Sequence, residues 1–332
     1  MGSSLSDAQV AAALRSVEED AASAEEKTTM LMEIAMGLQL RPKSVDQLQQ
    51  AVGLYERALD LCPQDAPLLS ARVRARLGTA LQALPENGNC ALDRARACFE
   101  SARGMLKERG SPEELAELDM NLGLALQALA GNGAARITDA IQSYQKALRV
   151  FVREQYPQEF AILHNNLAIA YLSIPLADEH AKMREALAVQ SFEEVLKVIT
   201  LIDHPSEYAM AQNNLGNALQ YAHSGHPLDN SLRALAAYDE ALKVRNPRDT
   251  PIEYANTIAN KANVLRNLPD EESGTSNLMA ARALYREACD IFELAGQRNS
   301  AAIVREVLAE LEQELRQANA IELNGMPSST TV

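Results

Sequence analysis

A proline returns through this chain at an almost fixed interval. Pro67, Pro112, Pro157, Pro205 and Pro251 lie 45, 45, 48 and 46 residues apart. Each opens a related stretch: APLLSARVRARLGTALQAL from Ala66, SPEELAELDMNLGLALQAL from Ser111, YPQEFAILHNNLAIAYL from Tyr156, HPSEYAMAQNNLGNALQY from His204 and TPIEYANTIANKANVLRNL from Thr250. Recurrence at that period is the mark of stacked supersecondary units, each contacting its neighbours, and not of one closed globule.

Each copy reads as the first helix of a pair. Proline is preset for the first helical position, and Ser111 and Thr250 sit just before theirs, with Glu114 and Glu253 placed to complete capping boxes. In the copy from His204, Tyr208, Ala211, Leu215 and Leu219 share one stripe, while Asn213, Asn214, Asn217, Gln220 and Tyr221 share another. One face is built for burial and the other is not. About twenty residues on comes a second pattern, an alanine, an aromatic four residues later, and a small residue three beyond. It reads Ala51-Tyr55-Ala58, Ala95-Phe99-Ala102, Ala140-Tyr144-Ala147, Ala188-Phe192-Val195, Ala234-Tyr238-Ala241 and Ala281-Tyr285-Ala288. The aromatics keep the beat of the prolines.

A Leu-Gly/Ala pair in a first helix (Leu77-Gly78, Leu122-Gly123, Leu167-Ala168, Leu215-Gly216), followed by this second pattern, resembles the tetratricopeptide repeat. Small residues let the two helices approach and the aromatic fills the gap between them. The period is about ten residues longer than the family's 34, and the family's tryptophan is missing. The longer form, opening Pro-x-Glu-Tyr-Ala and running into Asn-Asn-Leu-Gly, resembles repeats of kinesin light chains and of bacterial arrays fused to caspase-like peptidases.

The resemblance implies an all-α, right-handed α-solenoid. Its six helix pairs would occupy 24–62, 67–109, 112–154, 157–202, 205–246 and 251–296, so that the array runs from 24 to 295. An acidic segment, 1–23, precedes it, with a short helix over 7–19. A capping helix over 299–320 should bury Ile303, Val307, Leu308, Leu311 and Leu315, and a disordered tail, 321–332, follows.

Composition narrows the function. A net charge of −14 argues against nucleic acid, which demands clustered Lys and Arg. Cys62, Cys90, Cys98 and Cys289 show neither metal nor disulfide spacing, which suits a reduced, cytoplasmic setting. No apolar run is long enough for a membrane span, and no secretory signal is expected.

Catalytic motifs are missing: there is no phosphate-binding Gly-rich loop and no Gly-x-Ser-x-Gly elbow. His223 and His226 lack a third ligand at matching spacing, so no metal and no cofactor is expected. The constellation above background is the polar stripe of the first helices. Arg76, Asn121, Asn166, Asn214 and Asn260 fill one equivalent slot, nine residues after each proline; Gln82, Gln127, Gln220 and Arg266 fill a second, six residues further on, and Asn217 lies between. An amide donates and accepts, so such a row can grip a peptide backbone. In this respect it resembles the asparagine ladder of the O-linked N-acetylglucosamine transferase repeats. Arg72 and Arg76, one turn apart, suit a ligand carboxylate. The alternative is that these amides bond to neighbouring helices and hold the twist.

The expectation is therefore a non-enzymatic module that binds a protein or peptide partner in a concave groove. Two other readings stand beside it: a scaffold that self-associates into a homo-oligomer, and a regulatory subunit of an effector enzyme.

Overall fold

The computed structural model describes residues 22–85, 89–174, 180–222, 226–269 and 275–325, with positions 10, 11, 14, 15 and 17 ahead of them. Thirteen helices longer than one turn are seen among the described residues, and no strand. They are α1 (Ala24–Leu40), α2 (Val45–Leu61), α3 (Pro67–Gln82), α4 (Cys90–Arg109), α5 (Pro112–Gly131), α6 (Ile137–Ala147), α7 (Pro157–Leu172), α8 (Ala181–Leu196), α9 (Pro205–Gln220), α10 (Pro227–Leu242), α11 (Pro251–Asn267), α12 (Ser276–Leu294) and α13 (Arg298–Gly325). All five beat prolines stand at the first position of a helix.

The helices form two compact units, residues 1–174 and 175–332. In the first, α1 packs with α2, α3 with α4 and α5 with α6, each pair stacks on the next, and the first helices α1, α3, α5 and α7 touch in sequence. In the second, α8 packs on α9, and α9/α10, α11/α12 and α13 follow. The boundary falls inside the fourth repeat, 157–202. Its two helices belong to different units because α7 packs back on α5 and α6, whereas α8 packs forward on α9.

The small-residue and aromatic pattern does what its chemistry requires. Tyr55, Phe99, Tyr144, Phe192, Tyr238 and Tyr285 are each at most 3% exposed. A Cβ added at Gly78 would lie 2.5 Å from the Phe99 ring, and one at Gly216 would lie 2.6 Å from the Tyr238 ring; Tyr144 crowds Gly123 in the same way. These glycines are bare because a ring occupies the space where a methyl group would stand.

Four local expectations change. Ser111 and Glu114 close a capping box, as Ser23 and Glu26 do ahead of α1, but Thr250 and Glu253 do not. The Thr250 hydroxyl turns back instead, accepting from the Asn246 N–H at 3.0 Å and donating to the Asn246 carbonyl at 3.2 Å, so it closes the preceding turn. The leading segment is not purely polar, since Val10 and Val17 are buried in the core of unit 1. Helix α13 runs to Gly325, past the expected end at 320; residues 326–332 lie outside the described residues. Ile303 is 64% exposed, and Ala301 and Val304 take the buried stripe with Leu311 and Leu315. Ion pairs flank the stripe: Arg305 with Glu293, Arg286 with Glu312 at 2.5 Å, and Arg266 with Glu314 at 2.5 Å.

Candidate binding face

The prolines set the register of the first helices α3, α5, α7, α9 and α11, so the residues five, nine, twelve and sixteen positions beyond each proline share one stripe at helical spacing. In each first helix this stripe is half-buried or exposed, while the opposite side is core.

In unit 1 the stripe carries Arg72, Arg76 and Thr79 on α3, Glu117, Asn121 and Leu124 on α5, and Ile162, Asn166 and Ile169 on α7. A pocket of about 270 Å³ opens between α1, α3 and α5. Met32, Met36 and Leu118 supply apolar lining, and Arg76, Glu117 and Asn121 the polar lining. The two arginines singled out for a ligand carboxylate already have partners. Arg72 Nε donates to Glu114 at 2.6 Å, and Arg76 Nη1 to Glu117 at 3.4 Å. The Glu114 carboxylate also accepts the Ser111 N–H of the capping box at 3.0 Å. Held first by the Arg72 guanidinium and further by that N–H, its carboxyl ionises below the usual range. The Arg72 pair is therefore fixed from two directions. The Arg76 pair is longer, with both side chains more than 40% exposed, and is the weaker of the two.

The remaining amides of unit 1 divide by task. Gln127 accepts the Tyr144 phenol at 2.8 Å, and Gln39 accepts that of Tyr55 at 2.8 Å. Gln39 passes the connection on to Thr79 at 2.9 Å, joining two repeats. The second repeat is plugged by Phe99, which has no hydroxyl, and there Gln82 donates to the Asn121 carbonyl of the next first helix at 3.1 Å. The Asn121 side chain itself bonds to no described residue. Asn166 accepts from Asn165 at 3.4 Å.

Unit 2 presents a different surface. On α9 the stripe is Met210, Asn214, Asn217 and Tyr221, and on α11 it is Asn256, Asn260, Asn263 and Asn267. The Tyr238 phenol donates to Asn217 at 2.7 Å and to Gln220 at 3.0 Å. Asn260 donates weakly to Asn213 at 3.5 Å, whereas the Asn214 side chain bonds to no described residue. Burial pushes the Tyr55, Tyr144 and Tyr238 phenols well above their ordinary range, and Tyr285 to about 12, against the opposing pull of Arg266.

The expected site is thus brought together in part. Arg72, Arg76 and Asn121 meet at one pocket; Gln127, Asn217 and Gln220 are bound to plug tyrosines; Asn214 and Asn260 lie on neighbouring helices. Sequence reasoning missed the link between glutamine and tyrosine, although Gln39-Tyr55, Gln127-Tyr144 and Gln220-Tyr238 recur 16 to 18 residues apart. On α11 it took Asn260 and Arg266, and passed over Asn256, Asn263 and Asn267.

Among the described residues no three His, Cys, Asp or Glu side chains gather as metal ligands, and all four cysteines are free. His223 lies outside the described residues, so the pairing with His226 is not seen. No helix among the described residues is long and apolar enough to cross a membrane.

No protein-family model and no curated protein matches the chain. Solved structures do match in fold. BtubC (BKLC) from P. vanneervenii is 21% identical with a TM-score of 0.51, over 74% of this chain and 95% of that one. The assembly chaperone of RpL4 is 14% identical with a TM-score of 0.51, over 87% and 99%. A signal-transduction ATPase with a tetratricopeptide repeat sensor, from Pyrococcus horikoshii, gives a TM-score of 0.59 at 14% identity. That match covers 89% of this chain but 42% of the ATPase, so the chain spans less than half of that protein's length. At these identities the likeness is one of fold. Proline beat, glycine and aromatic plugs, stacked helix pairs and structural neighbours agree, and the chain has a tetratricopeptide-type fold, an all-α repeat solenoid.

Proposed function

We propose that the chain is a non-enzymatic protein-interaction module that holds a peptide or a partner's helix on the open stripe of its first helices. The observation that carries this reading is the state of Asn121 and Asn214. Both are half-buried at the same slot of their helices, and neither side chain bonds to another described residue. Asparagine is a poor helix former next to alanine, by about 0.7 kcal/mol, and at these slots it makes no side-chain bond to offset that cost among the described residues. A side chain that can donate and accept, held on a rigid helix and left unspent, suits recognition of a partner's peptide groups.

The test is the double variant Asn166→Ala/Asn214→Ala in an affinity capture from the host, beside the parent chain. Partner binding should fall by roughly 1–3 kcal/mol for each amide clamp lost, with the melting temperature unchanged. Normal capture combined with a clearly lower melting temperature would make the asparagines ties between helices and end this reading.

One observation favours self-association instead. Leu228 and Leu232, one turn apart on α10, are 52% and 51% exposed. A sedimentation mass that climbs with concentration, and stops climbing in Leu232→Glu, would favour the scaffold.

A further inference from the structure

We propose that Tyr285, Arg266 and Tyr221 of unit 2 form a binding site for a neutral carbonyl oxygen, the amide oxygen of a protein partner. This rests on the interaction reading above and deepens it, because it names the group on the partner and the side chains that take it.

A fixed slot serves the plug tyrosines, fifteen residues after the first residue of the first helix. Gln39, Gln127 and Gln220 hold it on α1, α5 and α9, with their side-chain oxygens 2.8, 2.8 and 3.0 Å from the phenols of Tyr55, Tyr144 and Tyr238. Phe99 and Phe192 have no hydroxyl, and their slots hold Gln82, which bonds elsewhere, and Leu172. On α11 the slot holds Arg266, facing the plug Tyr285. A guanidinium has donors and no acceptor, so it cannot take the proton of a phenol. Tyr285 is 3% exposed, and its hydroxyl, which is not sealed from solvent, bonds to no described residue.

Two further donors stand beside it. Arg266 directs Nε and Nη2 to Glu314, at 3.2 and 2.5 Å, and Nη2 also to Glu310 at 3.2 Å, while Nη1 donates to no described residue. The Tyr221 hydroxyl accepts from Asn263 at 3.3 Å and gives its own proton to no described residue. Burial pushes the Tyr285 phenol up to about 12; Arg266 pulls against it, and Tyr221 and Glu314 add to it. The phenol therefore has these groups for neighbours and keeps its proton at neutral pH. Tyr221 is 61% exposed, which leaves the site open to a partner.

Donors gathered without an acceptor call for a ligand oxygen, and charge decides which kind. One guanidinium faces the carboxylates of both Glu310 and Glu314, so the site is already negative, as is the whole chain at −14. A carboxylate or phosphate would be repelled. A cation could meet Glu310 but would leave the donors unused. A neutral carbonyl oxygen has two lone pairs and no charge to repel.

The probes are N-methylacetamide, acetamide and acetate at equal concentration and ionic strength, added to the full chain carrying ring-labelled tyrosine and followed by NMR. Tyr285→Phe identifies the Tyr285 signal. N-methylacetamide should move that signal and leave those of Tyr144 and Tyr238, whose phenols already have acceptors, in place. Acetate should not move it. A stronger response to N-methylacetamide than to acetamide assigns the site to main-chain carbonyls, and the reverse order assigns it to side-chain amides. Arg266→Gln puts an acceptor into the slot and should remove the response. In thermal melts Tyr285→Phe should match the parent, where Tyr144→Phe and Tyr238→Phe fall below it, because no described residue bonds to that hydroxyl. If neither amide moves the Tyr285 signal, the hydroxyl is merely hydrated and the proposal falls. It falls equally if acetate acts as strongly as the amides, or if Tyr285→Phe melts lower. The interaction reading survives each of those results, since Asn166→Ala/Asn214→Ala decides it in the capture experiment.

Discussion

The two units share a frame and differ in what they present. Five and nine residues after the proline, unit 1 places the charged Arg72, Arg76 and Glu117 beside Asn121, Ile162 and Asn166, whereas unit 2 places only the uncharged Met210, Asn214, Asn256 and Asn260. The same contrast reaches the interior. Seven residues after the proline, α5 carries Asp119, 3% exposed and paired with Arg103 at 2.6 Å, while α9 carries Gln212, which donates to the Tyr208 hydroxyl at 3.0 Å. At this interior slot unit 1 uses a matched charge pair and unit 2 a neutral amide. A repeat fixes where a side chain stands and leaves its chemistry open, so adjoining stretches of one fold can address different ligands.

The sharpest way to break this comparison is to remove the interior charge match of unit 1. Arg103→Met should cost about 2–4 kcal/mol in urea unfolding, because it strands the buried Asp119 carboxylate. Gln212→Leu, which leaves no charge behind, should cost distinctly less. Equal losses would mean that the charges of unit 1 are incidental.

Next come the glycines, where the units should agree. Gly78→Ala and Gly216→Ala each drive a methyl group into a plug ring, and each should destabilise by about 1–3 kcal/mol despite alanine's better helix propensity. A neutral result in one unit alone would show that its rings can retreat, and that the frame is not common to both.

The smallest expected effect concerns the plug hydroxyls. Tyr144→Phe frees one acceptor and Tyr238→Phe frees two, so losses of about 1 kcal/mol and somewhat more are expected, in that order. Burial raises these phenols above their ordinary pKa near 10, so on alkaline titration the unfolded chain loses protons before the folded one. Stability should be flat below about pH 10 and fall as pH climbs toward about 12, where Tyr285 begins to ionise in the fold. Tyr238→Phe should flatten part of that decline. A decline of the same size in the variant would place its origin elsewhere.

Most of the fold was legible because proline and the plug aromatics act locally: each dictates geometry within a turn or across one hairpin. What escaped depends on partners that sequence spacing does not name. Thr250 has the right neighbours for a cap and spends its hydroxyl on Asn246. Ile303 has the periodicity of a core residue, yet Ala301 and Val304 take the buried stripe of α13 and leave it exposed. Arg72 and Arg76 stood out as cations in a groove; Glu114 and Glu117, about forty residues on, were visible only as acidic residues of another helix. The division within 157–202 follows from which neighbours α7 and α8 pack against, and no local signal marks it.

The phenol bond to Gln127 has a consequence for how that residue can be read by anything outside. A free side-chain amide is nearly symmetric in shape and can rotate by half a turn, exchanging its acceptor for its donors. Once a tyrosine hydroxyl gives its one proton to the oxygen, as Tyr144 does to Gln127, that ambiguity is gone, and the NH2 end is what remains. Tyr144 thus sets the sense of an amide on the first helix of its own pair. At Gln127 an outside group would therefore meet a donor of fixed sense and not an amide free to turn.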